Sequence, residues 1–427
     1  MLKALYNIIL IIIYIPFVIA IFLRRFFKKE HPLKFKEKFI SNNIIRPPGY
    51  FFWFHVASLG EFNSILPFID YYLEKNKNYK ILITTVTLSS YLQFEKKFKD
   101  NQRVFHQFLP YDLNWLVKNF LNNWKPDIVS FVDSEIWPNF IFEIHKRRLP
   151  FILLNGRITK KTFRRWMFLK KFAYNIFNSF SVCISASKES AENLRMLKAK
   201  NIKYFGNIKF CSTKKDNKDS INNEFISIKN KNVWVALSTH GDEEHFCLDV
   251  HKLIEKVEKN IVTIIIPRHI NRITKIYSWL SKLDIKTQIK NENDKIDEDS
   301  KIILVNYYGL TSKYLNNFKQ IFIGKSLLPS LANVGGQNPI DAIKMGCKVY
   351  HGPYVYNFQE IYDYLDQNNF AEKLEKEKSV ASKMLAEKLI GAFKNSNQES
   401  TNKVAELDIY SKKIFDNVVN EYSRFIK

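Results

Sequence analysis

Four side chains have the types and neighbours that proton transfer and charge neutralisation need: Glu61, Asp133, Glu135 and Lys209. Glu61 closes YFFWFHVASLGE (Tyr50–Glu61), where an aromatic run passes through His55 and the small residues Ala57, Ser58 and Gly60. A helical pattern follows through Ile65, Leu66, Ile69, Tyr72 and Leu73. Strand, tight loop, helix is the first βα corner of a parallel sheet, and such sheets gather ligands at the carboxyl ends of their strands. Asp133 and Glu135 stand in FVDSEIWPN, where a strand runs into a helix opened by Trp137-Pro138. Two acids at a strand end are costly unless paired or functional. Lys209 lies in GNIKF, and Asn155-Gly156-Arg157 ends another strand. Taken singly, Glu61 also reads as a first-turn acid facing the helix dipole, worth roughly a few tenths of a kcal/mol, and Lys209 as a solvated cation.

A second set suits an anion. VWVALSTHGDEE ends a strand in Ser238-Thr239-His240-Gly241, with Thr239 and Asp242 spaced as a capping-box variant. Free backbone N–H groups there would suit a phosphate. A zinc reading of His240, Glu244 and His245 fails, because histidines five apart sit about 140° round a helix whereas paired helical ligands sit four apart. IIIPRHINR ends a strand in Pro267-Arg268-His269, and an arginine there can hold phosphate with two bonds. In GKSLLPSLANVGGQNPID, Gly335-Gly336 precede Gln337-Asn338-Pro339, with Pro339 at a helix start. A glycine pair lets backbone approach an anion, and Asp341 would accept from sugar hydroxyls. His351-Gly352-Pro353 and Asn357-Phe358 form the next corner.

The elements that must position these residues alternate. Strands are expected at 51–56, 80–85, 104–108, 128–132, 151–154, 182–185 and 202–205, then at 233–237, 261–266, 302–305, 321–324 and 348–351, with amphipathic helices between. This is the βαβ pattern of doubly wound parallel sheets. The polar stretch Cys211–Asn230 reads as a linker, KNENDKIDEDS as a charged loop, and the chain from about Glu372 as helical. With 427 residues there is length for two domains of about 150–200 residues. The divisions are 1–24 anchor, 25–212 first domain, 213–230 linker, 231–400 second domain and 401–427 a helix packing back. Two such domains place a ligand cleft between their strand ends.

Composition narrows the partner. A net charge of +24 implies an anion: nucleic acid, an anionic membrane surface or a phosphorylated substrate. No nucleic-acid fold signature is present. The four cysteines lie far apart without a Cys-x-x-Cys, which suits a reducing compartment. Leu5–Leu23 carries no charge over 19 residues, about the length that spans a hydrocarbon core as a helix. Arg24, Arg25, Lys28, Lys29, Lys34, Lys36 and Lys38 follow, interleaved with Phe22, Phe26, Phe27, Leu33, Phe35 and Phe39; only Lys3 precedes. The positive-inside rule puts the body in the cytoplasm, with the basic-aromatic segment on the anionic inner leaflet.

HVASLGE, TTVTLSSY, LPYDL, DSEIWPN, NGRIT, GNIKF, STHGDEE, PRH, GGQNP and HGP-x₃-NF follow one another over about 310 residues. This ordered set resembles the bacterial 3-deoxy-D-manno-octulosonic acid (Kdo) transferases of lipopolysaccharide assembly. The resemblance implies an α/β fold of the GT-B glycosyltransferase class: two Rossmann-like domains facing a cleft, with a hydrophobic N-terminal membrane anchor. It implies inverting, metal-independent transfer of Kdo from CMP-Kdo to a tetra-acylated, phosphorylated lipid A precursor. No cofactor is expected, CMP-Kdo being the donor substrate, and no nucleic-acid partner. The expected place is the bacterial inner membrane, with the catalytic body on the cytoplasmic side.

By the same resemblance Glu61 matches the general base, and Asp133, Glu135 and Lys209 match groups that help in the transition state. Pro267, Arg268, His269, Tyr308, Gly309, Leu310, Gly335, Gly336, Asn338, Pro339, Ile340 and Asp341 match the donor segments. His55, Ser58, Gly60, Arg157, Ser238, Thr239, His240 and Asn357 are further cleft candidates. The chain departs from the family pattern in Asp133-Ser134-Glu135 for Glu-x-Glu and in Gln337 and Asp341 for His and Glu. Asn306–Leu310 replaces an Asp-Thr-Met-Gly-Glu segment, and Gly324-Lys325-Ser326 replaces Gly-Gly-Ser. The competing readings are a GT-B-like nucleotide-sugar epimerase and a membrane-tethered anion-binding protein without catalysis.

Overall fold

The computed structural model describes residues 2–39, 46–212, 223–309, 311–394 and 400–426. The chain divides into two compact units, Met1–Thr213 with Tyr410–Lys427, and Lys214–Ile409. Each is built on a parallel seven-stranded sheet.

In the first unit the strands are β1 (Tyr50–Val56), β2 (Tyr79–Thr85), β3 (Val104–Phe108), β4 (Ile128–Val132), β5 (Phe151–Gly156), β6 (Val182–Ser185) and β7 (Ile202–Tyr204). Their order is β3-β2-β1-β4-β5-β6-β7. The helices are α1 (Leu2–Phe26), α2 (Leu59–Lys75), α3 (Leu88–Phe98), α4 (Asn114–Trp124), α5 (Pro138–Lys146), α6 (Lys160–Met167), α7 (Lys170–Phe177) and α8 (Lys188–Met196). β1 is central, covered on both faces, and buried from Phe51 to Val56. A strand so placed has no solvent face, which is why its sequence runs apolar without alternation. Trp53, Phe120, Phe131 and Phe140 pack on one face, while Phe52 stacks on Tyr72 of α2 on the other.

In the second unit the strands are β8 (Asn232–Thr239), β9 (Ile261–Pro267), β10 (Thr287–Lys290), β11 (Ile302–Val305), β12 (Gln320–Ile323), β13 (Lys348–His351) and β14 (Ala371–Lys373), ordered β10-β11-β9-β8-β12-β13-β14. The helices are α9 (Glu243–Glu255), α10 (Ile273–Leu280), α11 (Thr311–Asn317), α12 (Ile340–Lys344), α13 (Gln359–Gln367), α14 (Lys378–Lys394) and α15 (Ser400–Ser423). From Tyr410 onward α15 belongs to the first unit, where the Tyr422 hydroxyl meets Ser130 Oγ at 2.6 Å.

All twelve expected strands are present. Two edge strands, β10 and β14, lie outside the expected set, and β14 replaces the first residues assigned to the terminal helical region. The stretch read as a linker is only partly described: 213–222 lie outside the described residues. Asn223–Ile228 forms a short 3₁₀ helix whose Phe225 and Ile228 are buried in the second unit. Phe225 packs against Tyr314 and Phe318, so this part is core, not linker.

Candidate active site

In both sheets the chain reverses its direction of winding beside the first strand, between β1 and β4 and between β8 and β12. Loops leaving such neighbours diverge and open a crevice at their carboxyl ends, where doubly wound sheets bind ligands. The candidate residues gather at these two crevices.

At the first crevice Ser58 caps α2, its hydroxyl accepting from Glu61 N–H at 3.3 Å. Glu61 reaches back: Oε2 accepts from the Ala57 N–H at 2.8 Å and Oε1 from the Ser58 hydroxyl at 2.7 Å. This is a capping-box arrangement, Ser-x-x-Glu, with the acid reaching one residue further back than usual. Burial pushes the Glu61 carboxyl up, repulsion from Asp133 adds to this, and the Ala57 and Ser58 bonds oppose it, leaving a pKa of about 7. Each oxygen keeps a lone pair for a further proton.

Asp133 follows β4 with φ +62°, a left-handed conformation that Asp tolerates better than most residues. The kink lets its carbonyl accept from Arg157 N–H at 3.1 Å and aims its buried carboxylate at Lys209 Nζ, 3.4 Å away. Two residues on, Glu135 Oε2 accepts from Trp137 Nε1 at 2.8 Å and from His55 Nε2 at 3.2 Å. Burial pushes the Glu135 carboxyl up, but the His55 and Trp137 bonds outweigh it and hold it below its ordinary value. His55 is itself oriented. Thr84 Oγ1 takes the Trp53 indole N–H at 2.8 Å, so its own hydroxyl proton is left for His55 Nδ1 at 3.0 Å. The crevice thus holds one carboxyl poised near neutrality, Glu61, beside Glu135, held below its ordinary value by His55 and Trp137, and Asp133, paired with Lys209.

At the second crevice the carboxylates turn inward. Glu243 is fully buried and accepts four backbone N–H groups: His240 (2.9 Å) and Lys325 (2.6 Å) at Oε2, Ser326 (2.8 Å) and Leu327 (2.9 Å) at Oε1. It staples the loop after β12 to the loop after β8. Glu244 is held by Arg272 through two bonds of 2.9 and 2.8 Å and by the Thr239 hydroxyl at 2.7 Å. With both acids consumed, cations face outward: exposed Arg268 and His269, half-buried His240 against His269 (ring centroids 5.7 Å), and Lys325. Lys325 has φ +58°, and burial together with the Arg268 charge lowers its pKa. Ser238, Pro267, Arg268, Tyr308, Gly309 and Thr311 line one pocket of about 80 Å³. Arg268 is the one cation in that lining, among apolar and tyrosine side chains.

A profile of the family described as 3-deoxy-D-manno-octulosonic-acid transferase (kdotransferase) matches residues 24–212. A 3-deoxy-D-manno-octulosonic acid transferase of Rickettsia bellii is 30% identical over 83% of this chain and 82% of its own. The chain belongs to the Kdo transferase family. The enzyme of the same description from Haemophilus influenzae is 24% identical over 78% of this chain and 79% of its own. Among solved structures, a putative UDP-N-acetylglucosamine 2-epimerase of Listeria monocytogenes superposes with a TM-score of 0.57 at 11% identity, covering 88% of this chain and 97% of that one. At that identity the likeness is one of fold alone: two Rossmann-like units of the GT-B class.

Within this Kdo transferase the structure brings Glu61, Ser58, Asp133, Glu135, His55, Arg157 and Lys209 to one crevice, and Ser238, Thr239, His240, Pro267–His269, Tyr308 and Gly309 to the other. Leu310 lies outside the described residues. Thr239 and Asp242 form no capping box: Asp242 is itself the N-cap of α9, the Thr239 hydroxyl donates to Glu244, and the Glu243 carboxylate accepts from the His240 N–H. The glycine pair has a reason within the protein: a Cβ at Gly335 would collide with the Tyr354 carbonyl, and one at Gly336 would lie 3.1 Å from that of Val355. The Ile340 side chain is fully buried. Asn338 Oδ1 accepts from the Ile340 N–H at the start of α12, and Asn357 Nδ2 donates to the Val334 carbonyl. Asp341 is exposed in that helix's first turn.

Glu243 and Lys325 were missed as site residues. The signal for Glu243 was present in its spacing three after His240. Nothing in a single sequence marks Lys325 except its place between Gly324 and Ser326.

Proposed function

We propose that this Kdo transferase moves Kdo from CMP-Kdo to a hydroxyl of a tetra-acylated lipid A precursor, with inversion and without a metal, at the cytoplasmic leaflet of a bacterial inner membrane. The observation that carries this reading is Glu61, a carboxyl with pKa about 7 held by two donors beside Asp133. A base works best near the operating pH. Glu61 takes the proton of the attacking sugar hydroxyl as the bond from Kdo to phosphate breaks. Lys209, kept in place by Asp133, neutralises charge on the departing phosphate or the Kdo carboxylate.

The donor brings two negative groups, a phosphodiester and the Kdo carboxylate. Arg268, His240, His269 and Lys325 supply the countercharge, and Ser238 and Tyr308-Gly309 flank the nucleotide. Charge neutralisation therefore falls to side chains. Among the described residues no group of three or more His, Cys, Asp or Glu gathers as metal ligands would. The former zinc suspects point apart: Glu244 to Arg272, His245 onto Trp279, His240 toward His269. The helix α1 and the basic-aromatic segment after it hold the body at the membrane that carries the acceptor.

The test is CMP release from CMP-Kdo in detergent, with and without the lipid acceptor, for wild type and Glu61→Gln. Release that needs the lipid and falls at least about 10²-fold in the variant supports the base assignment. Full rate in the variant sinks it. Chelator should leave the wild-type rate unchanged.

A further inference from the structure

The helix α1 is long and apolar enough to cross a bilayer, yet it is fastened to the first unit along its whole length. Near its start the Tyr6 hydroxyl donates to Asp112 at 2.8 Å, and Asn7 Oδ1 accepts from Asn139 Nδ2 at 2.7 Å. Leu10 packs on Leu113 and Leu116 of the α4 region. At mid-length the Tyr14 hydroxyl donates to the Phe39 carbonyl at 2.8 Å and Phe17 stacks on Tyr111 at 4.4 Å. Toward its end Ile21 packs on Phe35 and Phe39, and Arg24 pairs with the buried Glu30 at 2.7 Å. Positions 7, 10, 14, 17, 21 and 24 form one helical stripe with alternating spacings of three and four.

The opposite side is bare and apolar: Ile8, Ile12, Ile15 and Ile19 are 55%, 68%, 68% and 55% exposed. Leu5, Leu23 and Phe26 extend this strip toward both ends. Phe168, 87% exposed, adds to it near the start, four residues before Phe172, whose ring meets Tyr6. Cations close the strip at its C-terminal end, Arg24, Arg25, Lys28 and Lys29, and α6, which leads into Phe168, carries Lys160, Lys161, Arg164 and Arg165.

We propose that α1 does not cross the membrane but lies lengthwise in one leaflet of an anionic phospholipid bilayer, its outward isoleucine face in the acyl region and its inward stripe docked on the catalytic body. This rests on the membrane attachment proposed above and specifies its geometry. A crossing helix 25 residues long would carry its body-bound flank through about 30 Å of hydrocarbon. Exposed Asn114, Lys118, Asn119 and Asn122 of α4, which packs against that flank, would enter with it and lose their water. A helix in the interface plane keeps these groups wet while burying the same apolar face. The docking has a consequence for the site: Asp112, which binds Tyr6, also accepts the Asn139 and Phe140 N–H groups at the start of α5, directly after Glu135–Trp137. The lipid-embedded helix and the acidic crevice thus share one anchoring carboxyl.

The full-length chain tests this in sealed inside-out inner-membrane vesicles. The four native cysteines are buried, so an added thiol reports alone. Lys3→Cys and Lys36→Cys should react with a membrane-impermeant maleimide to within about twofold of each other without permeabilisation. If the thiol placed at position 3 reacts only after permeabilisation, the helix spans and the proposal is overturned. A second measurement uses sedimentation with vesicles of phosphatidylethanolamine and phosphatidylglycerol. Ile12→Asp/Ile15→Asp should weaken binding at least about tenfold, and neutral phosphatidylcholine vesicles should do so for wild type. Unchanged binding in either case, or self-association of the chain in place of vesicle binding, overturns it. CMP release in detergent is read separately, so failure of the transferase reading does not mimic failure of this one.

Discussion

The two crevices have the same backbone plan and opposite electrostatics. Each lies where a parallel sheet reverses its winding, and each is flanked by acids within a few residues of a strand end. In the first unit those acids face outward, restrained by Lys209, His55 and Trp137. In the second they face inward, Glu243 onto four backbone N–H groups and Glu244 onto Arg272, and the cations face outward. The topology fixes where chemistry happens; which way a carboxylate turns fixes what chemistry it is. The turn is local. Asp133 faces out because its own residue adopts φ +62°. Glu243 faces in because Gly324, where a Cβ would lie 2.7 Å from Thr239 Cα and 2.8 Å from Glu243 Oε2, lets the neighbouring loop close on it.

The largest effect should come from removing the inward staple. Glu243→Ala leaves four backbone N–H groups without their acceptor, those of Ser326 and Leu327 buried and those of His240 and Lys325 partly so, at about 1–3 kcal/mol for each buried one that finds no substitute. A loss of at least about 3 kcal/mol in chemical denaturation is expected, with CMP binding abolished. Loss under about 1 kcal/mol would mean that the second crevice does not depend on the buried carboxylate.

The next effect concerns the outward acids. The base form of Glu61 is needed, so below its pKa the rate falls tenfold per pH unit. The wild-type rate should climb to about pH 7 and level above it. Asp133 contributes to that raised value, and Asn tolerates the left-handed backbone. Asp133→Asn should therefore shift the pH–rate midpoint to lower pH while reducing the plateau, because Lys209 loses its ion-pair partner. A midpoint that stays in place would show that Asp133 does not act on Glu61.

Much of this contrast was legible in the sequence, because strand ends are marked by apolar runs that stop at small or charged residues. All interior strands read this way. The two that did not, β10 (TQIK) and β14 (AEK), are edge strands, where only one neighbour and partial burial select the residues. Side-chain direction was not legible. Asp133 and Glu243 both follow strands closely, and only the φ of one residue and the proximity of a distant loop send one out and the other in. The packing of the glycine pair was hidden for the same reason: its empty side faces the carbonyls of Tyr354 and Val355, which belong to the next strand-to-helix corner.

A smaller change tests the outward cations. Lys325 faces the Arg268 charge, and it holds a left-handed backbone conformation that glycine would adopt without strain. Lys325→Gly removes the charge and relieves the backbone together. The KM for the donor should rise about tenfold, as loss of one charge-assisted contact predicts, with kcat nearly unchanged and stability not reduced. A fall in kcat at constant KM would instead place Lys325 on the transition state.

The smallest structural change falls at Gly60, beside the base. Gly60 lies in the first turn of α2, is exposed, and has no left-handed φ; a Cβ there would meet nothing nearer than Ser58 Oγ at 4.0 Å. The fold therefore does not require glycine, and alanine should stabilise the helix by up to about 1 kcal/mol. What a methyl group would occupy is the open ground beside the Glu61 carboxyl, where an acceptor hydroxyl must come within hydrogen-bond reach. Gly60→Ala should accordingly raise the melting temperature slightly and slow transfer, the two moving in opposite directions. A variant that is stabilised and keeps full rate would mean that the acceptor approaches Glu61 from elsewhere. The comparison of the two crevices would then stand on their charges alone.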